Sequence, residues 1–282
     1  MIATLICLSP RKDFPLFPLR RLRIFRPRPI FCLSFLALFA AVFTARGASS
    51  EESLFAARAQ KNFKLSQTHF RTDPTNSEAA LKLGQAAFDW ADFAPDHKQR
   101  REIANQGIDA CRQVIDAQPN SVAGHYYLAM NLGQLARTKN LGALKLVTEM
   151  EREFQIARDL DENFDFAGPD RNLGLLYFEA PGWPTSIGNR SKARNHLQRA
   201  IFLKPNYLEN HLVLLEAFLK WGDKSGAEHE IKSIRELWLA AKKELSGEQW
   251  ESSWRDWERR WDKAQNKFAE SNKAFKAPRV RQ

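Results

Sequence analysis

Six histidines and three cysteines are the side chains of this sequence most able to ligate a metal or attack a substrate, and their spacing speaks against both uses. The histidines at 69, 97, 125, 196, 211 and 229 contain no i,i+4 pair, the spacing that sets two imidazoles on one helix face. Cys7 and Cys32 lie near the N-terminus, which leaves Cys111 as the one thiol of the body and no partner for an internal disulfide. Cys111 is therefore expected as a small buried apolar residue. Gly182 and Gly188 sit in a Pro/Trp stretch without the lysine and spacing of a phosphate loop, and no Gly-x-Ser-x-Gly elbow is present. Acidic neighbours such as Asp161-Glu162 fall at a helix end. The chain is expected to be no enzyme, with no metal and no cofactor.

The charge is unevenly spread. Of a net +10, residues 1–47 hold +7, from Arg11, Lys12, Arg20, Arg21, Arg23, Arg26, Arg28 and Arg46 against Asp13. The body keeps +3 and no basic stripe of the kind nucleic-acid binding needs. After the basic stretch come the sixteen uncharged residues Ile30–Ala45, then Arg46-Gly47-Ala48-Ser49-Ser50. Basic, apolar and small-residue regions in that order make a secretory signal, with the cut expected after Gly47. An uncleaved inner-membrane anchor at residues 30–45 is the alternative, although a spanning helix needs about 20 apolar residues. Prolines at 10, 15, 18, 27 and 29 rule out an amphipathic mitochondrial presequence. Either surviving reading exports the body, which is expected in the periplasm. Cys32 opens the apolar run instead of following it, so it is no lipid attachment site.

These few polar side chains must be positioned by helices. Three stretches share one rule: Gly107, Cys111, Val114, Pro119; Met150, Phe154, Ala157, Glu162; Ala193, Leu197, Ala200, Pro205. Spacings of four and three place the first three residues of each on one helix face, and the last ends the helix. Each is followed by a second apolar helix, around His125–Leu132, Leu173–Tyr177 and His211–Phe218, with Leu81–Phe88 of the same kind upstream.

Leu83-Gly84, Leu173-Gly174, Gly222-Asp223, Ala193, Ala200, Ala227, Pro119 and Pro205 recur in phase, and in this the chain resembles the tetratricopeptide repeats. The resemblance covers roughly 77–240 and implies an all-α solenoid of helical hairpins. Three hairpins are expected to carry long inner segments, at Trp90–Ile103, Leu135–Leu144 and Ala180–Lys192. With Gly168-Pro169-Asp170-Arg171 before a helix, these make the chain similar to the exported T component of TRAP-type transport systems, which partners a periplasmic solute-binding protein. The expected organisation is a signal at 1–47, an N-terminal helical segment at 48–76, the solenoid at 77–240, a capping helix at 241–275 and a basic tail at 276–282.

In such solenoids the first helix of each pair lines the concave side. By register, the resemblance carries that face onto Gln85, Phe88, Asp89, Tyr126, Met130, Gln134, Arg171, Leu175, Phe178, Glu216 and Lys220. Leu175 and Phe178 suit helix packing equally well. Arg171 is the leading candidate to grip a ligand carboxylate bidentately, so its loss should weaken binding and spare the fold. Trp183, between Pro181 and Pro184, is expected to plug against the helices; the alternative is a ligand contact. Trp250, Trp254, Trp257, Trp261, Ala264 and Phe268 form one helical stripe behind a capping box, Ser246-x-x-Gln249. That stripe is expected to cap the solenoid, with a docking or membrane-surface helix as the alternative.

Two functions remain: a scaffold that binds a protein partner, or a transport accessory that handles a small acidic or amphipathic ligand. A concave face of mixed charge would favour the first. A continuous apolar tunnel lined by Phe88, Met130, Leu175 and Phe178 would favour the second.

Overall fold

A computed structural model describes residues 50–139 and 142–276. Ten α-helices lie among the described residues: α1 (Ser50–Thr72), α2 (Ser77–Asp92), α3 (His97–Ala117), α4 (Val122–Ala136), α5 (Ala143–Leu160), α6 (Phe164–Glu179), α7 (Arg190–Leu203), α8 (Leu208–Trp221), α9 (Lys224–Glu244) and α10 (Glu251–Lys276). A 3₁₀ turn, Glu248–Trp250, precedes α10. Among the described residues the one extended pairing is an isolated bridge between Gly182 and Gly188.

Helix starts are written in the sequence as oxygen-bearing caps. The side chains of Asn76, Asp96, Ser121, Asn189 and Asp223 each accept a hydrogen bond from a backbone N–H three residues on. Helix α8 ends at Gly222, whose φ of 71° lies in the left-handed region that a residue without Cβ enters at little cost. The helices pair as α2/α3, α4/α5, α6/α7 and α8/α9, and the first helices of successive pairs stack on one another. This is an all-α solenoid of paired helices with a C-terminal helix, as the resemblance implied.

The four-and-three spacing marks the buried face of each second helix. Cys111, Val114, Met150, Phe154, Ala157, Ala193, Leu197 and Ala200 are all buried, and Ala227, Ile231 and Ile234 repeat the spacing on α9. Small residues let the two helices of a hairpin close up. A Cβ placed on Gly174 would stand 2.6 Å from Leu197, and one on Gly84 would meet the Cys111 sulfur. Burial pushes the Cys111 thiol well above its usual range, as suits an inert packing residue.

Several boundaries differ from expectation. Only 93–96 connects α2 to α3, so most of Trp90–Ile103 is helix. Asp96 caps α3 there, and the polar run His97–Arg101 forms its solvent-facing first turns. The second inner segment shrinks to 137–142, whereas the third loses only 190–192 to helix α7 and spans 180–189. Helix α9 runs through residue 240 to Glu244, because Ala241 and Leu245 still bury against the core. At the expected capping box the Gln249 amide donates instead to the Ser246 carbonyl, and α10 begins at Glu251.

The tryptophan stripe does cover the end of the stack. Trp250, Trp254, Trp257 and Ala264 are buried, and Trp261 and Phe268 pack against the same core on α8 and α9. Trp257 also donates its ring N–H to Glu209 at 2.6 Å. The opposite face of α10 holds the exposed Glu251, Glu258, Arg259 and Lys263. Helix α1 packs on α2 at the other end, yet Arg58 reaches Glu248 at 3.1 Å and Glu251 at 2.7 Å. Phe55 lies beneath both Arg58 and Arg255, at 6.0 Å each. The stack therefore curves and twists far enough for its two ends to touch.

The signal at 1–47, its cut site, the anchor alternative and the tail beyond Lys276 lie outside the described residues. No helix among those described is long and apolar enough to cross a membrane.

Candidate interaction surface on the first helices

Helices α2, α4, α6 and α8 carry all eleven residues expected on the concave side. Six of them are buried: Phe88, Tyr126, Met130, Gln134, Arg171 and Leu175. Phe88, Tyr126 and Met130 belong to one apolar cluster and Leu175 to another, so these side chains line no continuous tunnel. Gln85, Asp89, Phe178 and Glu216 are half-buried and Lys220 is exposed.

Arg171 requires the clearest correction. It is 5 % exposed, and its guanidinium is already engaged within the chain. Nη2 donates to Asp165 Oδ2 at 2.9 Å and to the Asp165 carbonyl at 3.2 Å; Nη1 donates to the Phe166 carbonyl at 3.1 Å and to Asn210 Oδ1 at 3.1 Å. The carboxylate it grips is internal. The Asp165 and Phe166 acceptors lie in a left-handed turn, Asp165, Phe166 and Ala167, with φ of 48°, 55° and 62°. Left-handed residues with a Cβ cost roughly 1–2 kcal/mol each, and the guanidinium holds the turn by collecting its carbonyls. Tyr126 adds its hydroxyl to Asp165 Oδ2 at 2.6 Å, and Asn172 donates to that hydroxyl at 2.9 Å. Phe166 stacks on Tyr207 at 4.3 Å, and the Arg171 guanidinium lies 5.3 Å from the centre of the same tyrosine ring. Burial pushes the Asp165 carboxyl up against the pull of Arg171.

What remains partly accessible is a row of polar pairs that join α2 to α4, α6 to α8 and α8 to α10, the last through an arginine that is itself buried. From α2 to α4, Asp92 accepts from Arg137 at 2.7 Å and from Gln134 at 2.9 Å. Between α6 and α8, Lys220 lies 3.5 Å from Glu179 and 4.5 Å above the Phe178 ring. Between α8 and α10, Arg260 donates to both Glu216 oxygens at 2.9 Å. The same Arg260 donates to buried Glu209 at 2.9 Å, where burial lifts the carboxyl to about 7. Burial likewise pushes Asp92 and Glu179 up. This row is a surface of alternating charge with Phe178 as its apolar element. Asp92, Arg137, Glu179 and Arg260 were not among the residues expected from the sequence.

Three histidines prove to be hairpin clasps. His125 Nδ1 lies 2.6 Å from Glu153, and His211 Nδ1 lies 2.7 Å from Glu230. Their Nε2 atoms face the carbonyls of Pro119 at 2.9 Å and Pro205 at 2.7 Å. In the hairpin between them the partners are exchanged: His196 on α7 meets Asp170 on α6 at 2.7 Å. A shared Pro-to-His spacing of six residues was the sequence signal for two of the three. Among the described residues no group of three His, Cys, Asp or Glu side chains is gathered to hold a metal ion.

Trp183 is 89 % exposed, so it is no plug. Elsewhere, a cleft of about 560 Å³ opens between α7, α8 and α9, lined by Ile201, Leu214, Phe218 and His229 with the Arg194–Asp223 pair.

The fold and this row of helices define a helical-repeat protein of tetratricopeptide type. The family model "Regulator of microtubule dynamics protein 1-3" is similar to residues 49–166, from α1 into the left-handed turn. No curated protein matches the chain. Among solved structures it is similar to TTC0263, a thermophilic TPR protein of Thermus thermophilus, at 18% identity and a TM-score of 0.55, over 76% of this chain and 94% of that one. Two structures of MamA are similar at 17% and 18% identity, with TM-scores of 0.43 and 0.45, each over 70% of this chain and 96% and 92% of theirs.

Proposed function

We propose that the chain is a non-catalytic scaffold whose concave face binds a protein partner. One observation carries this reading. The first-helix surface carries pairs of mixed charge, Asp92–Arg137 and Glu179–Lys220, with half-buried Glu216 held by buried Arg260 beside them, while the apolar tunnel candidates Phe88, Met130 and Leu175 are packing residues. Mixed charges steer and discriminate a polar partner surface, and Phe178 supplies an apolar anchor among them. The likeness to a family named for regulating microtubule dynamics supports a protein assembly as the kind of partner.

The finer reading keeps the expected organisation: residues 1–47 deliver the body across a membrane, by a cleaved signal or by an anchor at 30–45. An exported scaffold of this kind would serve a periplasmic solute-binding protein, as in the T component of TRAP-type systems. Of the three long inner segments on which that resemblance rests, the connection 180–189 is the one that stays long, and it is what supports this second reading. A small acidic or amphipathic ligand would then be handled by the partner pair.

The test is capture from the native extract with the parent chain and with Lys220→Glu and Gln85→Arg. Both variants should lose the captured protein while keeping the helical circular dichroism of the parent. Equal capture by the variants would move the site off the first helices, and turnover of any substrate would defeat the non-enzyme reading.

A further inference from the structure

Because the hairpins alternate in direction, the connections from first to second helices share one edge of the stack, and the return connections share the other. Two adjacent connections of the first edge are rich in cations, although that edge also carries Asp92, Asp96, Glu179 and Asp223 at its helix ends. On the first edge, the adjacent stretches 137–139, 142–145 and 180–194 hold Arg137, Lys139 and Lys145, then Arg190, Lys192 and Arg194, and no acid. Arg137 and Arg194 pair with Asp92 and Asp223, Lys192 lies 4.0 Å from Glu151 and Arg190 lies over the Trp221 ring; Lys139, Lys145, Arg190 and Lys192 are exposed. On the return edge, 158–165 holds Arg158 against Asp159, Asp161, Glu162 and Asp165. From the basic edge projects Trp183.

The loop that bears Trp183 is well tied. Gly188 N–H donates to the Pro181 carbonyl at 2.9 Å, Asn189 N–H to the Tyr177 carbonyl at 2.9 Å and Thr185 N–H to the Gly182 carbonyl at 3.0 Å. Ile187 packs into the core behind it. The indole is therefore displayed by structure, and burying it against a partner orders little that is not already ordered.

We infer that this edge rests on an anionic lipid surface, with Trp183 at the headgroup level and the lysines and arginines of the two connections over the lipid charges. Indole rings favour that depth because one part is apolar and the other a hydrogen-bond donor. Two observations favour lipid over an acidic protein. Trp183 stands at a convex loop tip and not in a cleft. The cations are spread over two neighbouring connections, as a flat surface requires. The edge shares Arg137 and the ends of α4 and α6 with the row of polar pairs, but the proposal does not rest on which partner that row takes.

The test uses the full chain in vesicles of phosphatidylcholine alone or mixed with phosphatidylglycerol, each with brominated acyl chains. Subtracting the signal of Trp183→Ala isolates this indole from the other seven. In mixed vesicles Trp183 emission should shift blue and be quenched by bromine; in pure phosphatidylcholine, or at high salt, it should not. Replacing Lys139, Lys145 and Lys192 together by Gln should weaken the local contact by about a hundredfold, the product of roughly fivefold for each basic residue near an anionic surface, and so abolish the quenching. Absence of quenching in the mixed vesicles, or equal quenching in both lipids, overturns the proposal. Binding of polyglutamate at this edge with no lipid response would also overturn it and make the edge a protein-docking surface.

Discussion

Arg171 and Asp165 hold each other at 2.9 Å across a left-handed turn, and the guanidinium also takes the carbonyls of Asp165 and Phe166. Removing one partner of a buried ion pair leaves the other uncompensated, at a cost of about 3–5 kcal/mol. Arg171→Ala should therefore unfold at much lower urea than the parent. Arg171→Lys should recover little, since an ammonium cannot span the same acceptors. A variant as stable as the parent would remove the turn from the account.

Trp257 and Trp183 should respond oppositely. Trp257→Ala removes a fully buried ring and should cost about 3–5 kcal/mol. Trp183→Ala should change stability by less than about 0.5 kcal/mol and should delete most of the iodide-quenchable emission of the isolated protein. Thermal melts and quenching titrations of the two variants check both halves.

Ala200 is buried where α7 meets its neighbours. Ala200→Trp should overpack that contact and cost about 1–3 kcal/mol or more. An unchanged melting temperature would mean that the repeat register is wrong.

Stability should fall as pH rises. Glu209 titrates near 4.3 in an unfolded chain and is lifted to about 7 by burial in the fold. The native state then holds the proton more tightly, so its contribution is largest below the unfolded value and is lost as pH rises towards 7. At about 1.4 kcal/mol per unit this is of the order of 3 kcal/mol. Asp92, Asp165 and Glu179 shift in the same direction. Urea midpoints at pH 5 and pH 8 test the sign. Glu209→Gln should be less stable overall, because Arg260 loses its partner, and its profile should be flatter.

The helices were legible because apolar spacing and caps are local. Cys111, Phe154 and Ala200 point inward as their periods require. The concave face was only partly legible, because register places a residue on a side of a helix and not at a depth. Arg171 and Tyr126 lie on the expected helices, but the left-handed turn in the first residues of α6 folds over them, and nothing in Asp165-Phe166-Ala167 announces three positive φ angles in a row. The charged row was missed for a related reason: Asp92–Arg137 and Glu216–Arg260 join residues more than forty positions apart. A separation of 193 positions hid the clasp between Arg58 and Glu251.

The central claim is that a protein docks on the first helices. Photo-crosslinking residues placed singly at Gln85, Lys220, Gln198 and Glu236 in the native host test it most directly. Crosslinks from Gln85 and Lys220 to one and the same protein, with none from Gln198 or Glu236 on the second helices, are the predicted result. Crosslinks confined to Gln198 and Glu236, with Gln85 and Lys220 silent, would contradict it.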